Sequence, residues 1–412
     1  MRTIVFVSAT IGTLVGASAP AQSRDSASRE PLTLRAAITT ALRNNPDVRV
    51  SRTLTDSARG ELRTARAWPN PQLAIVPNVP YQYSATLPID IGPQRWRRTA
   101  VASLAIDATR LDTRDSERQL AAAVARGYYD VLLADARTGI TAARRELVRQ
   151  LVASDSARVR AGDLPERALI RSQVELIRAD AELARNRVDA QAARLQLQGL
   201  MGVAHPDTAL ALVGTLRYAD VPLVTSDSAL AFGVSQRPDV VAAQTRLSLA
   251  AAAQGLAAAS VIPIPQLSIV HQFGAPFESG SFTALGIGFE LPILTQYGGL
   301  RDRAAAGRMA AEVARQRAQS QAERDVSSTR AEYLAQCALV QRYEAGVVPR
   351  VEENVQATRY AYTRGAASLL EVLDALRAQQ DVLTDYYSAL HDYWVSVYAF
   401  EAASGLTSPA AW

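Results

Sequence analysis

The sequence has 412 residues, 48% of them hydrophobic, with a formal net charge of +4 and a pI near 9.3. That content excludes a disordered chain, and the length accommodates a large buried core or two to three domains. All 44 basic residues are arginine, which removes any mechanism that requires a lysine, such as the P-loop or a Schiff base; interleaved with 40 acidic residues, they read as solvated helix faces and not as a nucleic-acid track.

Residues 1–21 have the pattern of a secretory signal peptide: Arg2, an apolar run over 4–17, and Ala19-Pro20-Ala21 as a small-residue cleavage site. No later run approaches the roughly 18 uninterrupted apolar residues of a spanning helix, so an exported chain of this kind enters a membrane only as strands. The single cysteine, Cys337, allows no intrachain disulfide, and no cysteine follows the signal peptide to carry a lipid.

Helical patterning first covers 35–67, with a break expected at Pro46 because proline removes an N–H and restrains the residue before it. Period-two segments follow over 72–79 and 81–91, then helices over 96–161 and 165–202. A polar stretch, 204–225, links to a second series: helix 228–260 broken at Pro238, strands 266–273 and 282–293, and helices 299–364 and 367–404, with a tail over 406–412. The second hairpin alternates most clearly. Leu285, Ile287, Phe289, Leu291 and Ile293 share one face, and Ala284, Gly286, Gly288 and Glu290 the other. A return strand of about 11 residues suits a tilted bilayer crossing.

The two series repeat one another at an offset of about 200 residues. Asn45-Pro46-Asp47-Val48 returns as Arg237-Pro238-Asp239-Val240, Pro71-Gln72-Leu73 as Pro265-Gln266-Leu267, Leu87-Pro88-Ile89 as Leu291-Pro292-Ile293, and Gly162 and Gly202 as Gly365 and Gly405. An internal duplication, with repeats over 32–203 and 226–405, accounts for the order. A 66-residue helix is about 100 Å long and must lie against something. Apolar steps of four and three along Ile170, Val174, Ile177, Ala181, Ala184 and Val188, and along Leu369, Leu373, Leu376, Gln380, Leu383, Tyr387, Leu390, Trp394 and Val397, mark coiled-coil seams. The turns 160–165 and 364–368, with Gly162 and Gly365 as helix stops and Pro165 as a start, then lie at the end opposite the strands.

With these motifs, doubled and in the same order, and with Tyr362-Thr363-Arg364-Gly365 followed by Leu370-Glu371-Val372-Leu373-Asp374-Ala375, the chain resembles the outer-membrane efflux protein family of TolC-like factors. The resemblance implies a mainly α fold with a small β part. Long coiled-coil helices form a periplasmic α-barrel, and four strands per chain contribute to a 12-stranded outer-membrane β-barrel shared by a homotrimer. Four strands cannot close a barrel alone, and open edges in lipid leave costly unpaired backbone groups, so pooling of strands is also the physical expectation. The implied function is the exit duct of a tripartite efflux system, working with a periplasmic adaptor and an inner-membrane pump of the RND type, in contact with outer-membrane lipid and not with nucleic acid. The runner-up readings are the outer-membrane component of type I protein secretion and a soluble periplasmic coiled-coil scaffold.

By the same resemblance, Glu371, Asp374 and Tyr362 are the candidate pore and gate residues, the two carboxylates forming a ring of like charge that favours cations. Gly162, Asp163, Pro165, Arg364 and Gly365 are the candidate tip turns and adaptor contacts. A basic residue soon after the tip glycine helps latch the pore in better-studied members; Ala366 and Ala367 stand there in this chain, which leaves Arg364 or Arg359 for that part. Trp96, Trp394 and Tyr297 are candidates for an aromatic belt. His205, His271 and His391 lack metal-ligand spacing, and no nucleophile elbow, Cys/His pair or glycine-rich phosphate loop is present, so neither an enzyme nor a cofactor is expected.

Overall fold

The computed structural model describes residues 31–77, 81–224, 226–275 and 278–406. The expected signal peptide, the turn of the first hairpin and the tail beyond 406 lie outside the described residues. Helices α1 (Leu34–Asn44) and α2 (Pro46–Arg66) lead into strands β1 (Gln72–Val76) and β2 (Tyr81–Pro88), then into α3 (Pro93–Ala161) and α4 (Glu166–Leu200). The second half runs α5 (Asp227–Gln236), α6 (Pro238–Ala259), β3 (Pro265–Ala275), β4 (Glu278–Phe289), α7 (Gly298–Arg342), α8 (Val348–Thr363) and α9 (Leu369–Ser404). No described helix is long and apolar enough to cross a membrane.

The breaks follow local chemistry. Asn45 stops α1 and caps α2, its Oδ1 accepting from the amides of Asp47 (2.8 Å) and Val48 (3.4 Å), with Pro46 opening the helix. Arg237-Pro238 repeats the break without a side-chain cap. The segment 299–364, expected as one helix, is interrupted by a π turn at Tyr343–Val347 just before Pro349. A proline ring clashes with the carbonyl four residues back and offers no N–H; a widened turn accommodates both defects without a kinked stop. The strands are trimmed by proline in the same way: β1 ends before Pro77, β2 at Pro88, and β4 at Phe289, short of Pro292. β4 begins four residues before the expected 282, because the pairing continues past a bulge to Ala275 and Glu278.

The 69-residue α3 is the spine, about 100 Å long at ~1.5 Å per residue, with α2, α4, α6 and α9 packed along it. At its middle Val124, Val131, Leu197, Leu390, Tyr393 and Val397 form the main buried cluster. The segment 204–224, read from sequence as a polar link, is part of this core. Leu32 bridges Leu212 in parallel, and Leu216 is buried. Buried tyrosines donate to its backbone carbonyls: Tyr128 to Val213 (2.5 Å), Tyr393 to Ala219 (2.7 Å) and Tyr333 to Val221 (3.1 Å). The tyrosine hydroxyls satisfy a backbone that must cross an aromatic core, where each carbonyl needs a donor.

Each half closes on itself by a matching contact. The Asn45 amide donates to the Leu200 carbonyl (2.9 Å), and Arg237 donates to the Ala403 carbonyl (3.2 Å). Gly202 and Gly405, both at φ +67°, end the last helix of each half, and a Cβ would lie 2.6 Å from the Asn44 oxygen in the first case and 2.6 Å from the Gly233 oxygen, inside α5, in the second.

The α9 seam packs as expected, with Leu373, Leu376, Leu390 and Val397 buried. The α4 seam does not. Ile170, Ile177 and Val188 are 54%, 68% and 62% exposed, and the row that meets α3 is Ser172, Glu175, Ala179, Leu183 and Ala190. Period alone identifies a seam but not which neighbour fills it, and the more apolar row of α4 is left exposed among the described residues.

Candidate functional site

The four strands form one antiparallel sheet in the order β1-β2-β3-β4. The register places Leu73, Ile75, Tyr83, Ala85, Leu87, Leu267, Ile269, Phe273, Leu285 and Ile287 on one face. Gln72, Gln82, Ser84, Thr86, Gln266, Ser268, Gln272, Ala284, Gly286 and Gly288 alternate onto the other, together with the apolar Ala74, Val76, Val270 and Phe282. The apolar face is bare: Leu73, Leu285 and Ile287 are 80%, 76% and 70% exposed. Among the described residues both edge strands, β1 and β4, lack an outer neighbour. The sheet is thus apolar on one side and mixed on the other, and its two edge strands leave ladder groups without a partner strand among the described residues. His271 stands on the apolar face, its Nδ1 2.8 Å from the Thr283 hydroxyl across the strand pair.

At the far end of the helices the tip turns have helix-stop geometry. Gly162 (φ +82°) and Gly365 (φ +73°) take the left-handed conformation that glycine adopts without strain. The Asp163 amide donates to Arg158 O (2.9 Å) and the Ala366 amide to Ala361 O (2.9 Å), the backbone pattern of a glycine-terminated helix. Pro165 sits just before α4 at its cap position, one residue earlier than a helix start. Arg364 lies over the Tyr360 ring at 5.1 Å, and Arg359 donates to Gln150 Oε1 on α3 (3.4 Å).

The structure separates the three candidate gate residues into two environments. Glu371 and Asp374 are exposed on α9 and line a groove of about 580 Å³ whose floor includes Ala357, Ala361, Ala375 and Ala378. Glu371 also holds the start of α9: its carboxylate accepts from the Ser368 amide (2.8 Å) while the Ser368 hydroxyl accepts from its own amide (3.3 Å). Tyr362 is buried on the side of α8 that faces α3. Its hydroxyl donates to Asp155 Oδ1 at 2.6 Å, and Arg158 covers its ring at 5.4 Å. Burial, reinforced by the Asp155 carboxylate, raises the Tyr362 hydroxyl to about 12, so it stays a donor across physiological pH. Asp155 is itself fully buried, and its Oδ2 has no hydrogen-bond partner among the described residues.

A second set of charged side chains, unmarked by any motif, ties the helix pairs together above the tip. Buried Glu175 of α4 accepts from Arg377 of α9 (2.8 Å) and Arg178 (3.0 Å), with Arg144 of α3 3.9 Å away. Arg144 donates to Glu182 (3.1 Å) and also bonds Gln380. Nearer the middle, His391 of α9 spans Asp130 of α3 (2.7 Å) and Asp392 (2.9 Å). Burial works against charging the ring, but the two carboxylate bonds outweigh it and its pKa is raised. In sequence these residues look like any solvated helix face. Only the neighbour across the bundle distinguishes them, and helical spacing does not encode that neighbour.

The outer membrane efflux protein family matches residues 37–203. The chain is 25% identical over 363 residues, 84% of each chain, to the cobalt-zinc-cadmium resistance protein CzcC of Cupriavidus metallidurans. Its fold is that of the outer membrane protein VceC of Vibrio cholerae (TM-score 0.74, 19% identity, 90% of this chain and 96% of that one). It is equally that of the MtrE outer membrane channel of Neisseria gonorrhoeae in its open state (TM-score 0.75, 19% identity, 90% and 88%). A CusC structure gives TM-score 0.76 at 21% identity over 90% and 92%. The family match covers less than half of the chain, and the shared fold covers 90% of it.

Proposed function

We propose that the chain is the outer-membrane channel of a tripartite efflux system: a passive duct that receives substrate from an inner-membrane pump and a periplasmic adaptor and releases it outside. The observation that carries this reading is the incomplete sheet, apolar on one face and open at both edges, on the end of a helical rod far too long for a globular domain. Three copies at four strands each supply a 12-stranded barrel, within the size range of outer-membrane barrels. The unpartnered rows on α4 (Ile170, Ile177, Val188) and α7 (Met309, Val313) are then the surfaces on which neighbouring copies meet.

The tips around Gly162, Asp163, Pro165, Arg364 and Gly365 form the adaptor-facing end, and an RND-type pump is the inner-membrane partner. Glu371 and Asp374, repeated in three copies, place carboxylates around the exit path and favour cations. Cation cargo fits the metal-resistance relative, whose name refers to cobalt, zinc and cadmium. Planar-bilayer recording of the purified protein tests the assignment. A small cation-preferring conductance is expected, with selectivity lost in the double variant Glu371→Gln, Asp374→Asn; glutamine at position 371 retains the helix cap. No ion flow through a correctly assembled protein overturns it.

A further inference from the structure

The first strand–helix junction carries a feature that the channel reading does not use. Where α2 ends and α3 begins, Arg63, Arg66, Trp68, Arg95, Trp96, Arg97 and Arg98 converge within a few residues of the sheet. Trp68 and Trp96 are 53% and 73% exposed, and the Arg95 guanidinium lies 4.4 Å from the Trp68 ring centroid. Part of this cluster has a structural duty. Arg95 donates to Arg66 O (2.9 Å), Arg98 to Ala65 O (2.7 Å) and Arg97 to Gly255 O, so α3's first turn supplies donors to the open carbonyl ends of α2 and α6.

The positive charge exceeds that duty. Buried Asp90 is taken by Arg98 at 2.5 Å, and Arg63, Arg66, Arg95 and Arg97 have no acidic partner among the described residues. Arg63 and Arg66 are exposed and make no side-chain bond with any described residue. The fold does not demand this either. At the corresponding junction of the second half Ala257, Ser260 and Ile262 stand where Arg63, Arg66 and Trp68 do, and the start of α7 has no tryptophan and carries Arg301 and Arg303 around Asp302.

We propose that this junction binds the phosphodiester headgroups of anionic phospholipid in the leaflet that faces the helical half of the molecule. The patch lies at the helix end of the hairpin, where Gln72 pairs with Thr86 and the next residue, Leu73, begins the bare apolar face. A lipid whose acyl chains lie on Leu73 and Ile75 therefore places its phosphate at the height of the arginines. Exposed tryptophans occupy the depth at which indoles prefer a bilayer interface, and a guanidinium pairs a phosphate with two parallel donors. One patch per copy gives three sites around the base of the barrel, none of them from the second repeat.

The proposal rests on the sheet being membrane wall, and the test separates the two claims. Full-length protein is reconstituted into bilayers of phosphatidylethanolamine with a minor fraction of phosphatidylglycerol, re-extracted, and its retained lipids counted by mass spectrometry. The wild type is expected to retain phosphatidylglycerol above its bulk fraction, and Arg63→Gln with Arg66→Gln to lose about fivefold of that enrichment per arginine removed. Retention at the bulk fraction, or enrichment unchanged in the double variant, overturns the proposal while leaving the channel intact. Should the variant assemble poorly, wild-type enrichment that survives 1 M salt overturns it as well, since exposed charge pairs are screened there. Failure to enter either bilayer would instead remove the membrane-wall reading beneath it.

Discussion

Replacing Tyr362 by phenylalanine removes one oxygen from the tip and leaves the packing volume almost unchanged. The lost bond is the 2.6 Å donation to Asp155, a carboxylate with no exposed surface and one oxygen already without a partner. Without the hydroxyl, both Asp155 oxygens depend on water reaching a closed site. A hydrogen bond to a charged group contributes about 1.5–3 kcal/mol, and stranding a buried acceptor costs a similar amount, so the tie between α8 and α3 weakens by roughly ten- to a hundredfold. The variant is expected to melt lower and, in planar bilayers, to open more often. Asp155→Asn in the Tyr362→Phe background is expected to cost little more, because the two side chains act as one pair.

The pH dependence has a definite sign. The folded hydroxyl titrates at about 12, above the ordinary tyrosine value near 10, so its contribution is complete below about 10 and is lost only as pH rises through 12. Open probability governed by this bond is therefore flat from neutral pH to about 10. Wild-type melting and gating in the phenylalanine variant, at several pH values below 10, would refute the assignment of Tyr362 as a tie.

His391 has the same sign in a lower window. Its raised pKa means that the stability from the Asp130 and Asp392 bonds is present below about 6.5 and lost as pH climbs through the higher folded value; His391→Gln is expected to flatten that slope in a melting series. Gly162→Ala and Gly405→Ala share a left-handed backbone but not their surroundings. The first has open space and should cost about 1–2 kcal/mol by denaturant titration, whereas the second places a Cβ 2.6 Å from the Gly233 oxygen and should cost ~1–3 kcal/mol more. On the sheet, Leu285→Arg is expected to lower barrel stability by about 2–4 kcal/mol in lipid, while Ala284→Arg on the other face assembles and alters ion selectivity. Arg377→Ala leaves buried Glu175 with Arg178 and the more distant Arg144, and is expected to loosen α9 from α4 by ~1 kcal/mol, measured as a lower melting temperature.

The alternation of Leu285, Ile287 and Phe289 with Ala284, Gly286 and Gly288 identified both the strand and its two faces, because a period of two places side chains without reference to any neighbour. Asn45-Pro46 and Gly162 likewise specified their helix ends through local chemistry. Contacts made at long range were not legible. Nothing around 204–224 indicated that buried tyrosines would receive its carbonyls, and the apolar row of α4 suggested a seam that the chain fills with Glu175 and Ala179 instead. The candidate site divides along the same line. The backbone at Gly162 and Gly365 follows from residue type, whereas the burial of Tyr362 against Asp155 required the position of α3, fixed over two hundred residues away.

The most direct measurement is the native mass of the full-length mature protein extracted in mild detergent. Three chains per particle, inserting into bilayers as an ion-conducting unit, are expected if strands from several copies close the wall. A particle of one chain, extracted without detergent, would contradict it.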